Sequence, residues 1–288
     1  MSGLDILITG TPRSGTTLTC HLLNMVPDTL ALHEPMQPKK WPKVDDPEAR
    51  VAVVARFCAE QRHMALVEGR AISKNVEGQV PDNPVGMERT SAGLRKSLVS
   101  KGYIPITKPL SENFALVIKH NSGFTAMLGA LVERFPMFAV IRNPLATIGS
   151  WTTVAFQAHD GHAPAGERLA PDLEQRLSRF ESALDRQIAM LDWFHEQFLR
   201  YLPGDRIIKY EDIVSSGGTR LSIVRPGAAA LAEPLVERNL SDTYDRDQLL
   251  RIGERLLAGD GAFWSTYDRN DVVSLLEGLA QRPVEKSS

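Results

Sequence analysis

An α/β protein with a mostly parallel sheet covered by helices is the fold class that this sequence predicts, on two observations. Short apolar runs of strand length alternate with segments of helical periodicity, the order that places helices on the faces of a parallel sheet. The first of those runs, ILITG, leads through a Gly-rich turn directly into an amphipathic helix. With 288 residues, 43% of them apolar and 24% charged, the chain can bury a substantial core as one domain spanning 1–288.

Taken in order, buried strands are predicted over 5–9, 30–33, 115–119, 137–141 and 206–209, each rich in Ile, Val, Leu or Phe. After the first strand, Leu18, Leu22, Leu23 and Val26 share one helical face. Asn143 followed by Pro144 starts a helix, because Asn caps free backbone donors and Pro is tolerated in the first turn. Over 172–202 the apolar residues Leu173, Leu177, Phe180, Leu184, Ile188, Leu191 and Phe198 recur every three or four positions, which predicts one long amphipathic helix. Two regions resist this order. The first, about 35–110, is assigned to a helical lobe on the substrate side, and the second, 155–171, rich in Ala, Gly, Pro and His, to a mobile loop or lid.

The net charge of −2 argues against a domain that grips a nucleic-acid backbone, though a local basic pocket is compatible with it. Cys20 and Cys58 form no metal-ligand spacing and read as plain thiols. The N-terminus, MSGLDILITG, lacks the features of a secretory signal, and no apolar window approaches the ~20 residues that cross a bilayer. The expected setting is reducing and cytoplasmic.

The turn itself reads GTPRSGTTL: Gly10 and Gly15 bracket four residues, as in a nucleotide-phosphate loop, but Thr16 and Thr17 stand where an ATP-binding loop carries Lys-Ser/Thr. Backbone N–H groups between Thr11 and Thr17, the N-terminus of the next helix and the forked donor of Arg13 suit phosphate or sulfate oxygens. In FAVIRNPLATIGSW, Arg142 lies at a strand end, where open α/β sheets place ligands, and Ser150 follows eight residues on. Singly, each has a plainer reading, as a salt-bridge partner and a helical Ser. Together they make a second anion site on one sheet.

These residues resemble the sulfotransferases that use 3'-phosphoadenosine 5'-phosphosulfate, PAPS, in their bacterial and Golgi-type branch. Thr11, Pro12, Arg13, Ser14, Gly15, Thr16 and Thr17 match that family's 5'-phosphosulfate loop, within 9–18, and Arg142 with Ser150 its 3'-phosphate pair, within 137–151. Lys119 occupies the place of a family lysine, and Tyr210-Glu211-Asp212 a habitual strand ending, so the resemblance covers Ile6 to about Val214. It implies a P-loop-like core with a four- or five-stranded sheet. It also implies sulfuryl transfer from PAPS, without a metal, to a hydroxyl or amine of a small-molecule, carbohydrate or peptide acceptor. Arg13 and Lys119 are the expected electrostatic pair. Glu34, in LALHEPMQP, matches the carboxylate base of that branch. His120 is the alternative base, although another branch places its histidine two residues after the lysine, and adjacent strand residues face opposite ways.

Plainer readings accompany the remaining candidates. His33 reads as half-buried, His159 and His162 as loop residues without metal partners, Lys39, Lys40 and Lys43 as a wet face, and Trp41 and Trp151 as core. A P-loop small-molecule or nucleotide kinase shares the loop frame and could use Thr16 or Thr17 and Asp212 for magnesium, but lacks the lysine after Gly15. A module that only binds the nucleotide is the third class.

Overall fold

The structure, a computed structural model, describes residues 3–41 and 46–281. The chain begins with β1 (Asp5–Gly10), α1 (Thr16–Met25) and β2 (Thr29–His33). A lobe follows, containing α2 (Pro47–Val67), β3 (Arg70–Asn75), β4 (Val85–Arg89), β5 (Arg95–Ser97) and β6 (Ser100–Pro105). The core resumes with β7 (Ala115–Lys119), α3 (Ser122–Thr125), α4 (Leu128–Leu131), β8 (Met137–Ile141) and α5 (Pro144–Trp151). The remainder is α6 (Pro164–Leu169), α7 (Pro171–Leu177), α8 (Ala183–Tyr201), β9 (Ile207–Lys209), α9 (Tyr210–Ser215), α10 (Arg246–Leu257) and α11 (Arg269–Gln281).

Among the described residues, β2-β7-β1-β8-β9 form one five-stranded sheet, and every pairing in it is parallel. Its strands read as continuous apolar runs because both faces are covered. Leu7, Leu32, Leu116, Ile118 and Met137 join the larger core cluster, while their neighbours Ile6, Ile8, Ala31, Val117 and Phe138 join the cluster that packs against α1. At about 25 cal/mol per Å² of apolar surface removed from water, this two-sided burial is the main force that seats the strands. Parallel order then brings all five carboxyl ends to one edge of the sheet.

Three expectations change in detail. The lobe is more than helical: α2 is accompanied by two antiparallel pairs, β3 with β6 and β4 with β5. The helix predicted over 172–202 is two helices, α7 and α8, because the Ser182 side chain caps a new start by accepting from Asp185 N–H, and Phe180, although in phase, is exposed. The segment 155–171 contains α6 and is bonded to α8. Gln187 Nε2 donates to the carbonyls of Ala158 and His159 at 3.1 and 2.8 Å, and Leu169 is buried in α6. Such long-range hydrogen bonds leave no trace in local composition. Lys43, of the predicted lysine face, and the tail from 284 lie outside the described residues.

Candidate functional site

Each strand of the sheet delivers a candidate residue at its carboxyl end: the 10–17 turn after β1, His33 and Glu34 at β2, Lys119 at β7, Arg142 after β8 and Tyr210 after β9. A cavity of 840 Å³ lies over that edge. It is lined by the turn, by Glu34, Lys119 and Arg142, by the β4-β5 hairpin, and by the 234–244 segment, matching the rule that open α/β sheets bind ligands beyond their carboxyl ends.

The turn is fixed from several sides. Ser14 Oγ lies 2.8 Å from Thr11 O and 2.6 Å from Val140 O. Trp151 Nε1 donates to Pro12 O at 2.7 Å, and Arg142 Nη1 to Arg13 O at 3.2 Å. Two glycines are required. A Cβ at Gly10 would lie 2.2 Å from Val140 O, and Gly15, at φ 86°, is backed by the Tyr210 ring, with Cδ2 2.6 Å from where a Cβ would stand. Arg13 itself holds φ 68°, a conformation uncommon outside glycine, as does Glu34 at φ 43°. Local strain of this kind is retained where the surrounding fold over-determines it, and it clusters at working sites.

Arg13 Nε donates to Ser150 Oγ at 3.2 Å and its Nη2 to Asn83 Oδ1 at 3.2 Å. The predicted loop cation and the predicted Ser of the second site therefore meet directly. Burial pulls the Arg13 guanidinium down to about 10; Tyr244 opposes the fall, while Arg95, Arg142 and Arg238 add to it. At neutral pH it remains a cation, and the neighbouring arginines make an anion bound among them favourable. Arg142 stands over the Tyr210 ring at 4.8 Å and donates to Asn239 Oδ1 at 2.7 Å and to Arg238 O. Glu211 holds this corner by accepting from Asn143 N–H at 3.0 Å, Asn239 Nδ2 at 2.8 Å and Tyr267 OH at 2.8 Å. That network gives the Tyr210-Glu211-Asp212 ending its physical sense: Tyr210 backs the loop and Glu211 ties the later chain to Arg142.

On the other flank, Glu34 lies between two lysines, with Oε1 2.8 Å from Lys119 Nζ and Oε2 2.5 Å from Lys74 Nζ. Its N–H donates to Lys119 O at 2.9 Å, which holds β2 and β7 in step. Burial by itself would raise the Glu34 carboxyl, but Lys119, then His33 and Lys74, outweigh it and hold the group well below the usual carboxylate range. Lys119 is buried, which lowers its pKa, with Glu34 opposing the fall.

His120 points to the opposite face, as strand alternation requires. Its ring packs edge-on against Trp41 at 5.6 Å and Phe124 at 5.1 Å, its Nε2 accepts from Met36 N–H at 3.1 Å, and burial pushes it down to about 3. The alternative base thus has its acceptor nitrogen occupied within the core. Trp41 and Trp151 are core residues, Lys39 and Lys40 are exposed, and burial raises the Cys20 and Cys58 thiols to about 12. His162 Nδ1 lies 3.1 Å from Glu167 Oε2. Sequence reasoning missed Lys74 and Arg95 in the lobe and Arg238 and Asn239 in the last third, none of which sits in a motif.

A family model described as the sulfotransferase family matches residues 5–218. The chain belongs to the sulfotransferase family. The matched range takes in the loop, Glu34, Lys119, Arg142 and Ser150 and ends shortly after Glu211; the kinase alternative finds no support in it. No curated protein matches this sulfotransferase. Among solved structures, it is similar to the crystal structure of a sulfotransferase from Alicyclobacillus acidocaldarius, with 12% identity, a TM-score of 0.44, and coverage of 99% of this chain and 98% of that one. No described helix of this sulfotransferase is long and apolar enough to cross a membrane.

Proposed function

We propose that this sulfotransferase takes its sulfuryl group from PAPS and passes it to a hydroxyl or amine of a small-molecule, carbohydrate or peptide acceptor. The observation that carries the reading is the gathering of Arg13, Arg95, Arg142 and Arg238 around one cavity, with Arg95 Nε buried there without a partner. Guanidiniums and an unsatisfied polar atom of this kind fit a ligand carrying phosphate at more than one position. The loop from Thr11 to Thr17 would hold the 5'-phosphosulfate, and Arg142 with Ser150 the 3'-phosphate.

Bound there, PAPS supplies an activated sulfuryl group. Glu34 takes the acceptor's proton as the acceptor oxygen or nitrogen bonds to sulfur. Its low pKa keeps it ionised, and the acceptor proton becomes acidic enough to transfer as that bond forms. Arg13 and the loop N–H groups stabilise the charge that the phosphate gains as the S–O bond breaks. Lys119, buried against Glu34, orients the carboxylate. A donor anion drawing on Lys119 would compete for its charge and so raise the affinity of Glu34 for a proton.

Incubation with radiolabelled PAPS and a panel of phenols, sugars, amines and tyrosine peptides tests the reading. Label on one acceptor class, with release of adenosine 3',5'-bisphosphate, is the expected result. Magnesium-dependent phosphoryl transfer from ATP, with no sulfuryl transfer from PAPS, would contradict it.

A further inference from the structure

The lobe brings to the site a guanidinium that neither anion motif contains. Arg95 begins β5, and its backbone fastens the β4-β5 hairpin to the end of α5: Arg95 N–H donates to Thr153 O at 2.8 Å and Ala155 N–H to Arg95 O at 3.0 Å. The residue is 6% exposed and lines the cavity. Its Nη2 donates to Thr153 Oγ1 at 2.8 Å, and its buried Nε has no partner. The groups acting on its charge are Tyr244 and three other arginines, Arg89, Arg238 and Arg142. A cation held out of water in such company is costly unless an anion compensates.

At the second anion site, part of the donor capacity of the two predicted residues is already used. Of the five N–H donors of an arginine, Arg142 spends three on Asn239 Oδ1 and the carbonyls of Arg13 and Arg238. Ser150 Oγ accepts from Arg13 Nε and has a single O–H of its own to donate. Arg95 is joined to the same corner through Thr153, whose Oγ1 donates to Ser150 O at 3.0 Å.

We propose that Arg95 is a donor-binding residue, a second guanidinium for the 3'-phosphate supplied by the lobe rather than by the sheet. The inference rests on the PAPS reading given above. The hairpin that carries Arg95 also brings Met87 and Ser97 into the cavity lining.

The test is calorimetric titration of the wild type, Arg95→Gln and Arg95→Lys with adenosine 3',5'-bisphosphate and with adenosine 5'-phosphate. Loss of a charged hydrogen-bonding group should weaken bisphosphate binding about 10–100-fold and leave monophosphate binding nearly unchanged. Arg95→Lys, which keeps the charge without the fork, should fall between. If Arg95→Gln does not fold, Arg95→Lys decides on the same ratio. A bisphosphate-to-monophosphate ratio equal to the wild type's, whether both affinities hold or fall together, would overturn the proposal and leave Arg95 a structural residue. A wild type that does not prefer the bisphosphate would instead remove the PAPS reading and this proposal with it.

Discussion

Glu34→Gln is expected to lower kcat about 10²–10⁴-fold, the range for a lost general base, and to lower stability in the same substitution. The second effect follows from the clamp. Lys119 is 2% exposed, and Glu34 is its ion-pair partner at 2.8 Å; removing one member of a buried pair strands the other, at about 3–5 kcal/mol. Lys119→Met should cost less stability. Glu34 keeps Lys74 at 2.5 Å and is 23% exposed on its side chain, so the stability loss is smaller, while loss of the positioned cation should cost about 10²–10³ in rate. The sign of the pH effect follows from the depressed carboxyl. Its stabilisation is present above the unfolded glutamate pKa, about 4.3, and is lost as pH falls through the lower folded value. Acid unfolding of Glu34→Gln should therefore be less steep than that of the wild type below about pH 4.3. Thermal melts across pH, with turnover of PAPS, check both effects. A folded Glu34→Gln protein that keeps wild-type kcat would remove the carboxylate from the chemistry.

Arg142→Ala is expected to abolish the preference for adenosine 3',5'-bisphosphate over adenosine 5'-phosphate, with about a 10²-fold fall in bisphosphate affinity. Arg142 is also a staple: its three donated hydrogen bonds join the end of β8 to the loop and to the 238–239 segment. The variant should lose stability as well, since Asn239 Oδ1 and two carbonyls are left without their donor. Asn239→Ala separates the roles. It removes the Nε contact and leaves the guanidinium in place, so bisphosphate binding should weaken less than in Arg142→Ala. Equal nucleotide preference in Arg142→Ala and the wild type would place the 3'-phosphate elsewhere.

The residues that sequence made legible are those whose role is written in a short window. The five core strands are apolar runs, and their observed bounds lie within one residue of the predicted ones. The loop carries its own frame, and Asn143-Pro144 caps α5, with Asn143 Oδ1 accepting from Leu145 N–H at 3.0 Å. Glu34 was legible only through resemblance, because nothing in HEP announces two lysines 40 and 85 positions away. Long-range pairing explains the remainder. The strands β4 to β6 are largely exposed, with Gly in β4 and Gly and Pro in β6, and β3 mixes Ala and Ile with Arg, Ser, Lys and Asn, so their apolar alternation is weak, and Arg95 reads there as one surface charge among several. Arg238 and Asn239 lie outside any regular element and join the site through Arg142, 96 and 97 residues earlier. The break between α7 and α8 was hidden because the apolar phase continues through it.

One cavity is proposed to hold a nucleotide phosphorylated at both its 3' and 5' positions. Calorimetric titration of the purified protein with adenosine 3',5'-bisphosphate, adenosine 5'-phosphate and ATP, each with and without magnesium, tests it most directly. Tight binding of the bisphosphate, independent of magnesium and well above that of either other nucleotide, is the predicted result. Magnesium-dependent binding of ATP, with no preference for the bisphosphate, would contradict the account.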